Sequence, residues 1–407
     1  MSDILQRIRD LQFTQREEAE RLLFSFLREQ LSLPVSVVQL TPKPTSLNSF
    51  NGIVTMEDGS QKFFKTHTES HTIIQEYYNA GMLAEAGYPI VLPTFQSTEL
   101  SKQILMYEVI QDESVFDVAW KIEQSDSTQF VALQEAQEKE DKTLLHRYLQ
   151  SLKQISNTQN ATAPIHQLFY HRLVGGRLAQ FYCDKIMLPN GIMTIADCFN
   201  RTWIINGQRY SDTIQAIIEK AITLLNPRQA VPAITGHGDA HNGNVFLQRP
   251  SNTLLYFDPA FAGQHHPLLD LVKPLFHNVF AMWMYFPLEK HHSTVIDMAI
   301  SKDEIVVNYD YDLPPIRQMF LESKIDHVLI PILRHLKESN QLQSDWRSFI
   351  KVALFCCPFL TMNLCDRTRF SPEIGLLGLA MSVEMGANSL GKKSVIDQQL
   401  ERVANIL

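Results

Sequence analysis

The densest group of reactive side chains lies in residues 236–246, which read GHGDAHNGNVF. Within this segment, Asp239 stands five residues before Asn244. The apolar residues 254–257 follow, and they lead directly to Asp258. The alternation of polar and apolar segments predicts two strands that form a hairpin, with one carboxylate before it and one after it.

This set of side chains suits phosphoryl transfer. A carboxylate on a loop, such as that of Asp239, can receive or orient the proton of an acceptor hydroxyl group. The oxygens of Asn244 and Asp258 can coordinate Mg²⁺ between the phosphates, because Mg²⁺ prefers hard oxygen ligands and needs few of them from the protein. The spacing from Asp239 to Asn244 also equals that of the protein-kinase catalytic loop, D-x-x-x-x-N.

Residues 237–244, HGDAHNGN, resemble the HGDxHxxN catalytic loop of the aminoglycoside phosphotransferase and choline kinase superfamily, and the resemblance covers roughly residues 35–275. Members of this superfamily are small-molecule kinases with a protein-kinase-like fold. The resemblance implies an ATP- and Mg²⁺-dependent transfer of the γ-phosphate to a hydroxyl group of a small-molecule acceptor. It implies that Asp239 is the catalytic base and that Asn244 and Asp258 are the metal ligands.

The resemblance also implies residues that bind the nucleotide. A lysine is expected on the third strand of the small lobe, and Lys65 stands there. Glu76, on the next helix, would pair with this lysine and steady it against the α- and β-phosphates, with Glu69 as a weaker alternative. Backbone groups from Glu108 to Ile110 would receive the adenine ring.

The expected nucleotide loop departs from the glycine-rich pattern. Residues 42–52 read PKPTSLNSFNG and contain one glycine, so they do not form a G-x-G-x-x-G loop. Ser46, Asn48 and Ser49 are therefore expected to donate hydrogen bonds to the phosphates. After the metal-binding aspartate, Asp270 fits a structural carboxylate that anchors the catalytic loop.

Apolar periodicity predicts the elements that position these residues. A helical extension in residues 1–34 precedes a small antiparallel sheet with one helix in residues 35–110. Residues 111–407 are predicted to form a larger, mostly helical lobe, with an insertion at about 153–230 that helps to select the acceptor. The expected fold is α+β, two-lobed and protein-kinase-like, with the nucleotide in the cleft between the lobes. The acid-rich residues 122–142 are predicted to be a solvated face.

Composition excludes several classes of protein. Lys and Arg number 36 against 44 Asp and Glu, and this net charge of −8 argues against a nucleic-acid partner. No segment has the ~18–20 apolar residues of a membrane span.

The five cysteines are odd in number and form no CxxC motif, and the N-terminal residues lack a signal pattern. A cytoplasmic location is therefore expected, and adjacent Cys356 and Cys357 are predicted to be buried and inert.

Three alternatives remain open from the sequence. The histidines of the loop, with His265 and His266, could form the site of a zinc hydrolase. A non-catalytic nucleotide-binding interaction protein could retain the same fold. A protein or peptide could also be the acceptor. The sequence leaves open the acceptor's identity, the choice between ATP and GTP, the number of metal ions and the oligomeric state.

Overall fold

The structure is a computed structural model that describes residues 4–41, 49–67, 72–97, 99 and 101–407, with the backbone alone at Ser49, His67 and residues 72–78. The chain divides into two compact units. Unit 1 comprises Met1–Glu113 and Leu255–Ala260, and unit 2 comprises Ser114–Leu254 and Phe261–Leu407.

Unit 1 consists of helices packed on a five-stranded sheet. Its helices are α1 (Ile4–Leu11), α2 (Arg16–Ser25, continued by a π-helical turn at Phe26–Gln30) and α3 (Thr72–Glu85). Its strands are β1 (Val35–Leu40), β2 (Ser49–Met56), β3 (Gln61–His67), β4 (Phe95–Ser97) and β5 (Ile104–Glu108). The strand order is β1-β2-β3-β5-β4, and every neighbouring pair is antiparallel.

The alternation of side chains along β3 places its residues on two faces. Phe64 and Thr66 are fully buried, and Phe64 joins a core formed with the N-terminal helices. Because successive side chains of a strand point to opposite faces, Lys65 lies on the other face of the sheet. Its side chain is 12% exposed. The predicted position of Lys65 on the third strand is confirmed.

Residues 255–260 add a short extended segment to unit 1. The backbone N–H of Tyr256 donates to the carbonyl of Pro89 over 2.7 Å, and that of Val91 donates to the carbonyl of Tyr256 over 2.9 Å. The ring of Phe257 packs against that of Tyr107, with the centroids 5.2 Å apart. These contacts fix the backbone that carries Asp258, the next residue.

Unit 2 is mostly helical. Its helices are α4 (Val115–Glu123), α5 (Phe130–Ser151), α6 (Asn157–Ala161), α7 (Tyr170–Val174), α8 (Arg177–Phe181), α9 (Ile195–Asn200), α10 (Ile214–Leu224), α11 (Pro267–His277), α12 (Met282–Tyr285), α13 (Pro287–Ser293), α14 (Pro315–Lys324), α15 (Ile330–Glu338), α16 (Trp346–Thr361), α17 (Pro372–Gly386) and α18 (Val395–Ile406).

Short strands complete the chain. They are β6 (Lys153–Ile155), β7 (Lys185–Leu188), β8 (Gly191–Thr194), β9 (Thr202–Ile205), β10 (Gln208–Arg209), β11 (Val231–Gly236), β12 (Val245–Gln248), β13 (Thr253–Tyr256), β14 (Gly263–His265), β15 (Ile296–Ile300) and β16 (Glu304–Tyr309). Four small sheets result, with the orders β14-β11-β6, β10-β9-β16-β15, β12-β13 and β7-β8. The hairpin expected after the catalytic loop, β12-β13, is confirmed.

The strand that leads into the catalytic loop is buried along its whole length. All six residues of β11 are buried between the flanking strands β14 and β6. Helix α11 is likewise buried at every position, although it contains Asp270, Lys273 and His277 among apolar residues. Buried charged groups are rare unless they are paired, so these three side chains mark a polar site inside unit 2.

The predicted α+β class is confirmed, with an antiparallel sheet and one following helix in the small unit and a mostly helical large unit. Strand β4 escaped prediction because it has only three residues. The β7-β8 pair and the β15-β16 pair were also not predicted. Residues 170–181 form two short helices, α7 and α8, because Gly175 and Gly176 interrupt the helical backbone and Gly176 has a φ of 97°.

The prediction of a solvated face at residues 122–142 is wrong for its buried acids. Glu123 accepts from Arg317 Nε over 2.8 Å and pairs with Lys290 over 2.5 Å. Asp141 accepts from Ser323 Oγ over 2.7 Å and pairs with Lys324. The basic partners of Glu123 and Asp141 come from segments far along the chain, so no local pattern could have revealed them. No helix in the described ranges has the length and apolar character needed to cross a membrane.

Candidate active site

The loop after β11 turns sharply at Gly238. This residue has a φ of 80°, and a Cβ atom there would lie 2.3 Å from the carbonyl oxygen of Phe261. Only glycine satisfies both conditions. The preceding His237 is fully buried, and its Nδ1 accepts from the backbone N–H of Asp239 over 3.4 Å. This contact gives His237 a structural role in the loop.

Asp270 anchors the loop, as expected from the sequence. Its Oδ1 accepts from the backbone N–H of Gly238 over 2.5 Å and from His265 Nε2 over 2.9 Å, and its Oδ2 accepts from the hydroxyl of Tyr148. Burial raises the pKa of Asp270. This effect is outweighed by the hydrogen bond and charge of His265, together with the hydrogen bonds from Tyr148 and Gly238, so the pKa lies below its ordinary value.

A second set of contacts closes the loop beyond Asp239. The side-chain amide of Asn244 donates from Nδ2 to the carbonyl oxygen of Asp239 over 3.0 Å. The backbone N–H of Asn242 donates to Oδ1 of Asn278 over 2.8 Å, and that of Gly243 donates to His241 Nδ1 over 3.1 Å. The structure therefore brings Asp239 and Asn244 together, with Oδ1 of Asn244 left without a hydrogen bond in the described part of the chain.

The carboxylate of Asp239 lies in a cationic environment. Its side chain is 15% exposed, and its Oδ1 lies 3.4 Å from Lys273 Nζ, an ion pair without hydrogen-bond geometry. His241 Nε2 lies 4.0 Å from Oδ2. Burial raises the pKa of Asp239, but the charge of Lys273, followed by those of His241 and Arg172, outweighs it and lowers the pKa below its ordinary value. Asp239 is therefore ionised at neutral pH.

Lys273 is the first residue of a series of buried hydrogen bonds within unit 2. Its ammonium donates to His277 Nε2 over 3.0 Å, which requires the neutral imidazole to carry its proton on Nδ1. Nδ1 then donates to the hydroxyl of Tyr285 over 2.8 Å. Burial, with the nearby charge of Lys273, holds the pKa of His277 well below its ordinary value. Burial and the charge of Asp239 raise the pKa of Tyr285.

Sequence reasoning missed Lys273, His277 and Arg172. Lys273 and His277 are four residues apart on one face of a helix whose other residues are mostly apolar, and this pattern could have identified them. Arg172 is half-buried on α7 and gave no such signal. Burial and the charge of Arg177 lower the pKa of Arg172 to about 10, and the charge of Asp239 opposes this change.

Unit 1 contains an ion pair between two of the predicted site residues. Lys65 Nζ donates to Asp258 Oδ1 over 2.8 Å. Asp258 has a φ of 56°, in the left-handed region that non-glycine residues rarely adopt. Strained backbone of this kind is concentrated at functional sites. The neighbouring carbonyl of Pro259 accepts from Asn79 Nδ2 over 3.0 Å, which connects this turn to α3.

The other predicted nucleotide-binding residues fall partly outside the described residues. Glu76 lies in α3, but its side chain is not described, and the same holds for Ser49 at the start of β2. Ser46 and Asn48 lie outside the described residues altogether. Glu108 ends β5 and pairs with Lys62, and Ile110 follows two residues later. These assignments stay predictions.

The zinc alternative finds no support in the geometry. In the ranges that the structure describes, no three His, Cys, Asp or Glu side chains converge closely enough to hold a metal ion. The histidines that suggested this alternative have other partners. His265 Nε2 pairs with Asp270, and His266 Nδ1 accepts from the backbone N–H of Leu268 over 3.1 Å.

Comparison with known proteins finds similar solved structures alone. No family model matches the chain, and no curated protein matches it. Amicoumacin kinase hAmiN, solved with AMP-PNP, Ca²⁺ and Ami, has a TM-score of 0.49 and 13% identity over 92% of this chain and 96% of that chain. A thermostable mutant of aminoglycoside phosphotransferase APH(4)-Ia, solved with ADP and hygromycin B, has a TM-score of 0.48 and 10% identity over 89% and 98%.

A third similar structure is macrolide 2'-phosphotransferase MphH from Brachybacterium faecium. Its TM-score is 0.40 and its identity 10%, over 95% of this chain and 97% of that chain. All three TM-scores are below 0.5. These likenesses therefore carry no statement about activity, which has to be argued from the residues of this chain.

Proposed function

We propose that this chain is an ATP- and Mg²⁺-dependent phosphotransferase that moves the γ-phosphate to a hydroxyl group of a small-molecule acceptor. The observation that carries the proposal is the geometry of the loop around Asp239. An ionised, nearly buried carboxylate is held at the end of β11 by a loop whose backbone is fixed on one side by Asp270 and on the other by Asn244.

Asp239 acts on the acceptor hydroxyl. Phosphoryl transfer passes through a loose transition state, so the main tasks of the protein are to position the reactants and neutralise charge. Asp239 accepts the hydrogen bond of the acceptor hydroxyl, aligns its oxygen with the γ-phosphate and takes the proton as the new bond forms. Lys273 fixes Oδ1 of this carboxylate, which leaves Oδ2 as the atom available to the hydroxyl.

Asn244 and Asp258 each have an oxygen of the kind that Mg²⁺ binds. Oδ1 of Asn244 and Oδ2 of Asp258 have no hydrogen-bond partner in the described part of the chain, since Asn244 donates through Nδ2 and Asp258 accepts through Oδ1. Amide and carboxylate oxygens are ligands that Mg²⁺ accepts, together with waters and phosphate oxygens. We assign Asn244 and Asp258 as the metal ligands. The ion would neutralise charge on the phosphates of the nucleotide.

Lys65 is assigned to the α- and β-phosphates of ATP. Its pairing with Asp258 supports this role, because a cation and a metal-binding carboxylate are both required beside the phosphates. Glu76 is proposed to steady Lys65. Ser46, Asn48 and Ser49 would contact the phosphates, and the backbone from Glu108 to Ile110 would receive the adenine ring.

The test is transfer of label from γ-labelled ATP into a cell metabolite extract in the presence of Mg²⁺. The wild-type chain should produce a labelled small molecule, and Asp239→Asn should not, although both should bind ATP·Mg²⁺ in a calorimetric titration. Label that appears equally with both chains would refute the role of Asp239. Absence of ATP binding in the wild type would refute the proposed function itself.

A further inference from the structure

Three side chains of unit 2 are joined in series behind the carboxylate of Asp239: Lys273, His277 and Tyr285. Lys273 Nζ lies 3.4 Å from Asp239 Oδ1 and 3.0 Å from His277 Nε2. His277 Nδ1 lies 2.8 Å from the hydroxyl oxygen of Tyr285. Lys273 and His277 are 4% and 2% exposed, so little water reaches them to replace these contacts.

The contact between Lys273 and Asp239 lacks the geometry of a hydrogen bond. Oδ1 of Asp239 is buried and has no hydrogen-bond partner, although the ammonium of Lys273 lies beside it. In the part of the chain that the structure describes, the ammonium donates its hydrogen bond to His277 Nε2 alone. His277 therefore keeps the lysine close enough to Asp239 to supply charge, while it directs the hydrogen bond of the lysine away from the carboxylate.

The contact between Lys273 and His277 requires one tautomer of the imidazole. An ammonium group can only donate, so Nε2 must accept and the ring proton must be on Nδ1. That N–H needs an acceptor in turn, and the hydroxyl oxygen of Tyr285 is placed to accept it. In the other tautomer, an N–H at Nε2 would face the ammonium, and neither group could accept. Burial, with the charge of Lys273, holds the pKa of His277 well below its ordinary value, in agreement with a neutral ring.

Aromatic packing fixes the position of the Tyr285 hydroxyl. The ring of Phe116, from α4, meets the ring of Tyr285 edge to face, with the centroids 5.1 Å apart. The adjacent Phe286 stacks on Trp120 of the same helix, with the centroids 3.7 Å apart. Ring contacts of this kind limit the orientation of the Tyr285 side chain, so its hydroxyl oxygen is held in place as an acceptor.

We infer that His277 and Tyr285 are positioning residues for the transfer at Asp239. Tyr285 holds His277 in the tautomer that accepts from Lys273, and His277 thereby keeps the lysine from donating to the carboxylate. This inference rests on the proposed function of Asp239 and adds two residues that act on it through Lys273. Without the acceptor at Nε2, the flexible lysine would donate to Asp239 itself. The carboxylate would then be a weaker hydrogen-bond acceptor for the hydroxyl group that is to be phosphorylated.

A role in packing alone does not account for this series. Burial of a polar group costs free energy unless the group is hydrogen-bonded, and apolar side chains would fill the same volume without that cost. Helix α11 uses apolar side chains at most of its other buried positions. Lys273 and His277, which are four residues apart on one face of this helix, instead form contacts that lead to Asp239.

The first experiment measures the initial rate of label transfer from γ-labelled ATP into a cell metabolite extract, at saturating ATP·Mg²⁺. It is run at a pH alkaline enough to ionise Asp239 in every variant. Tyr285→Phe removes one oxygen and keeps the ring, and we expect its rate to fall about tenfold with ATP affinity unchanged. Tyr182→Phe is the control, because the hydroxyl of Tyr182 donates to the carbonyl of Phe359 over 2.8 Å, and its rate should equal that of the wild type. A wild-type rate in Tyr285→Phe would overturn the inference.

The same change in a Lys273→Met chain separates positioning from packing. If Tyr285 acts through Lys273, Tyr285→Phe should cost no further activity once the lysine is absent, so the two effects should not add. A further fall of the same size in the double variant would assign Tyr285 to packing and overturn the inference. His277→Gln retains a side-chain acceptor oxygen and should keep more activity than His277→Leu, which has none. Equal losses in these two variants would also contradict the inference.

A third measurement does not depend on turnover. Nitrogen NMR of the chain with isotopically labelled histidine reports which ring nitrogen carries the proton, and the signals of His277 are those that His277→Gln removes. We expect the proton on Nδ1 in the wild type and a detectable share of the Nε2–H tautomer in Tyr285→Phe. A wild-type ring with its proton on Nε2, or on both nitrogens, would overturn the inference even where label is transferred. The expected tautomer in a wild-type chain that transfers no label would refute the proposed function, on which the inference rests, but would leave the order of the hydrogen bonds established.

Discussion

Lys273 Nζ lies 3.4 Å from Oδ1 of Asp239, and both side chains are almost fully removed from solvent. A carboxylate buried alone would have a raised pKa and would lose its charge near neutral pH. The buried lysine reverses this effect. The ion pair therefore keeps Asp239 charged near neutral pH, as the proposed function requires.

Replacing Lys273 should alter the pH profile of the reaction. In Lys273→Met, burial of Asp239 is no longer opposed by the adjacent charge, so the pKa of Asp239 rises. Because the proposed reaction requires ionised Asp239, the acidic limb of the kcat/KM profile should move to higher pH. The profile is measured between acidic and neutral pH. Lys273→Arg, which keeps the charge, should restore the acidic limb towards its original position.

The matched control for this change is Lys302→Met, which removes an exposed lysine of the same unit. Its profile should coincide with that of the wild type. A Lys273→Met enzyme with an unshifted acidic limb would show that the lysine does not govern the ionisation of Asp239.

Asp239→Asn should lower kcat by about 10²–10⁴-fold, the usual contribution of a positioned acid or base. The amide is close in size to the carboxylate but cannot take the proton of the hydroxyl. ATP binding, measured by calorimetry, should change little. A kcat within a few fold of wild type would assign the proton transfer to another group.

Asp258→Asn should weaken the response to Mg²⁺. Loss of the carboxylate charge removes a hard anionic ligand, so the Mg²⁺ concentration for half-maximal activity should rise about tenfold or more. Asp297→Asn, on the exposed face of β15, serves as the comparison and should leave the Mg²⁺ curve in place. Chelation of divalent cations should abolish activity in every chain. Identical Mg²⁺ curves for Asp258→Asn and wild type would remove Asp258 from the metal site.

Asp270→Asn should destabilise the fold, because its carboxylate accepts three hydrogen bonds in a buried position. The expected loss is about 1–3 kcal/mol in the free energy of unfolding, measured by denaturant titration. Asp303→Asn, an exposed change, should have almost no effect.

The same carboxylate predicts a pH dependence of stability. Folding lowers the pKa of Asp270, so its contribution is present above the pKa of the unfolded chain and is lost as the pH falls through the folded pKa. The difference in unfolding free energy between wild type and Asp270→Asn should therefore shrink on acidification. A difference that stays constant from neutral to acidic pH would contradict this account.

Local pattern and the family resemblance were sufficient for many of the elements and for several of the site residues. The resemblance placed Lys65 on the third strand of the small sheet, and the structure has it in β3, which pairs with β2. The loop motif placed Asp239 and Asn244 after a buried strand. Short strands such as β4 escaped because three residues carry too little periodicity to distinguish a strand from a loop.

The sequence by itself determined which side chains stand at the ends of strands, since strand and turn formation depend on neighbouring residues. Only the tertiary structure decided the charge on Asp239 and the partners of the buried acids. Lys273 is 34 residues from Asp239 along the chain (273 minus 239), and Arg172 is 67 residues away (239 minus 172). Their influence on Asp239 depends on distance through space and on burial, because electrostatic interactions strengthen where water is excluded. Neither the distance nor the burial can be predicted from the spacing of residues along the chain.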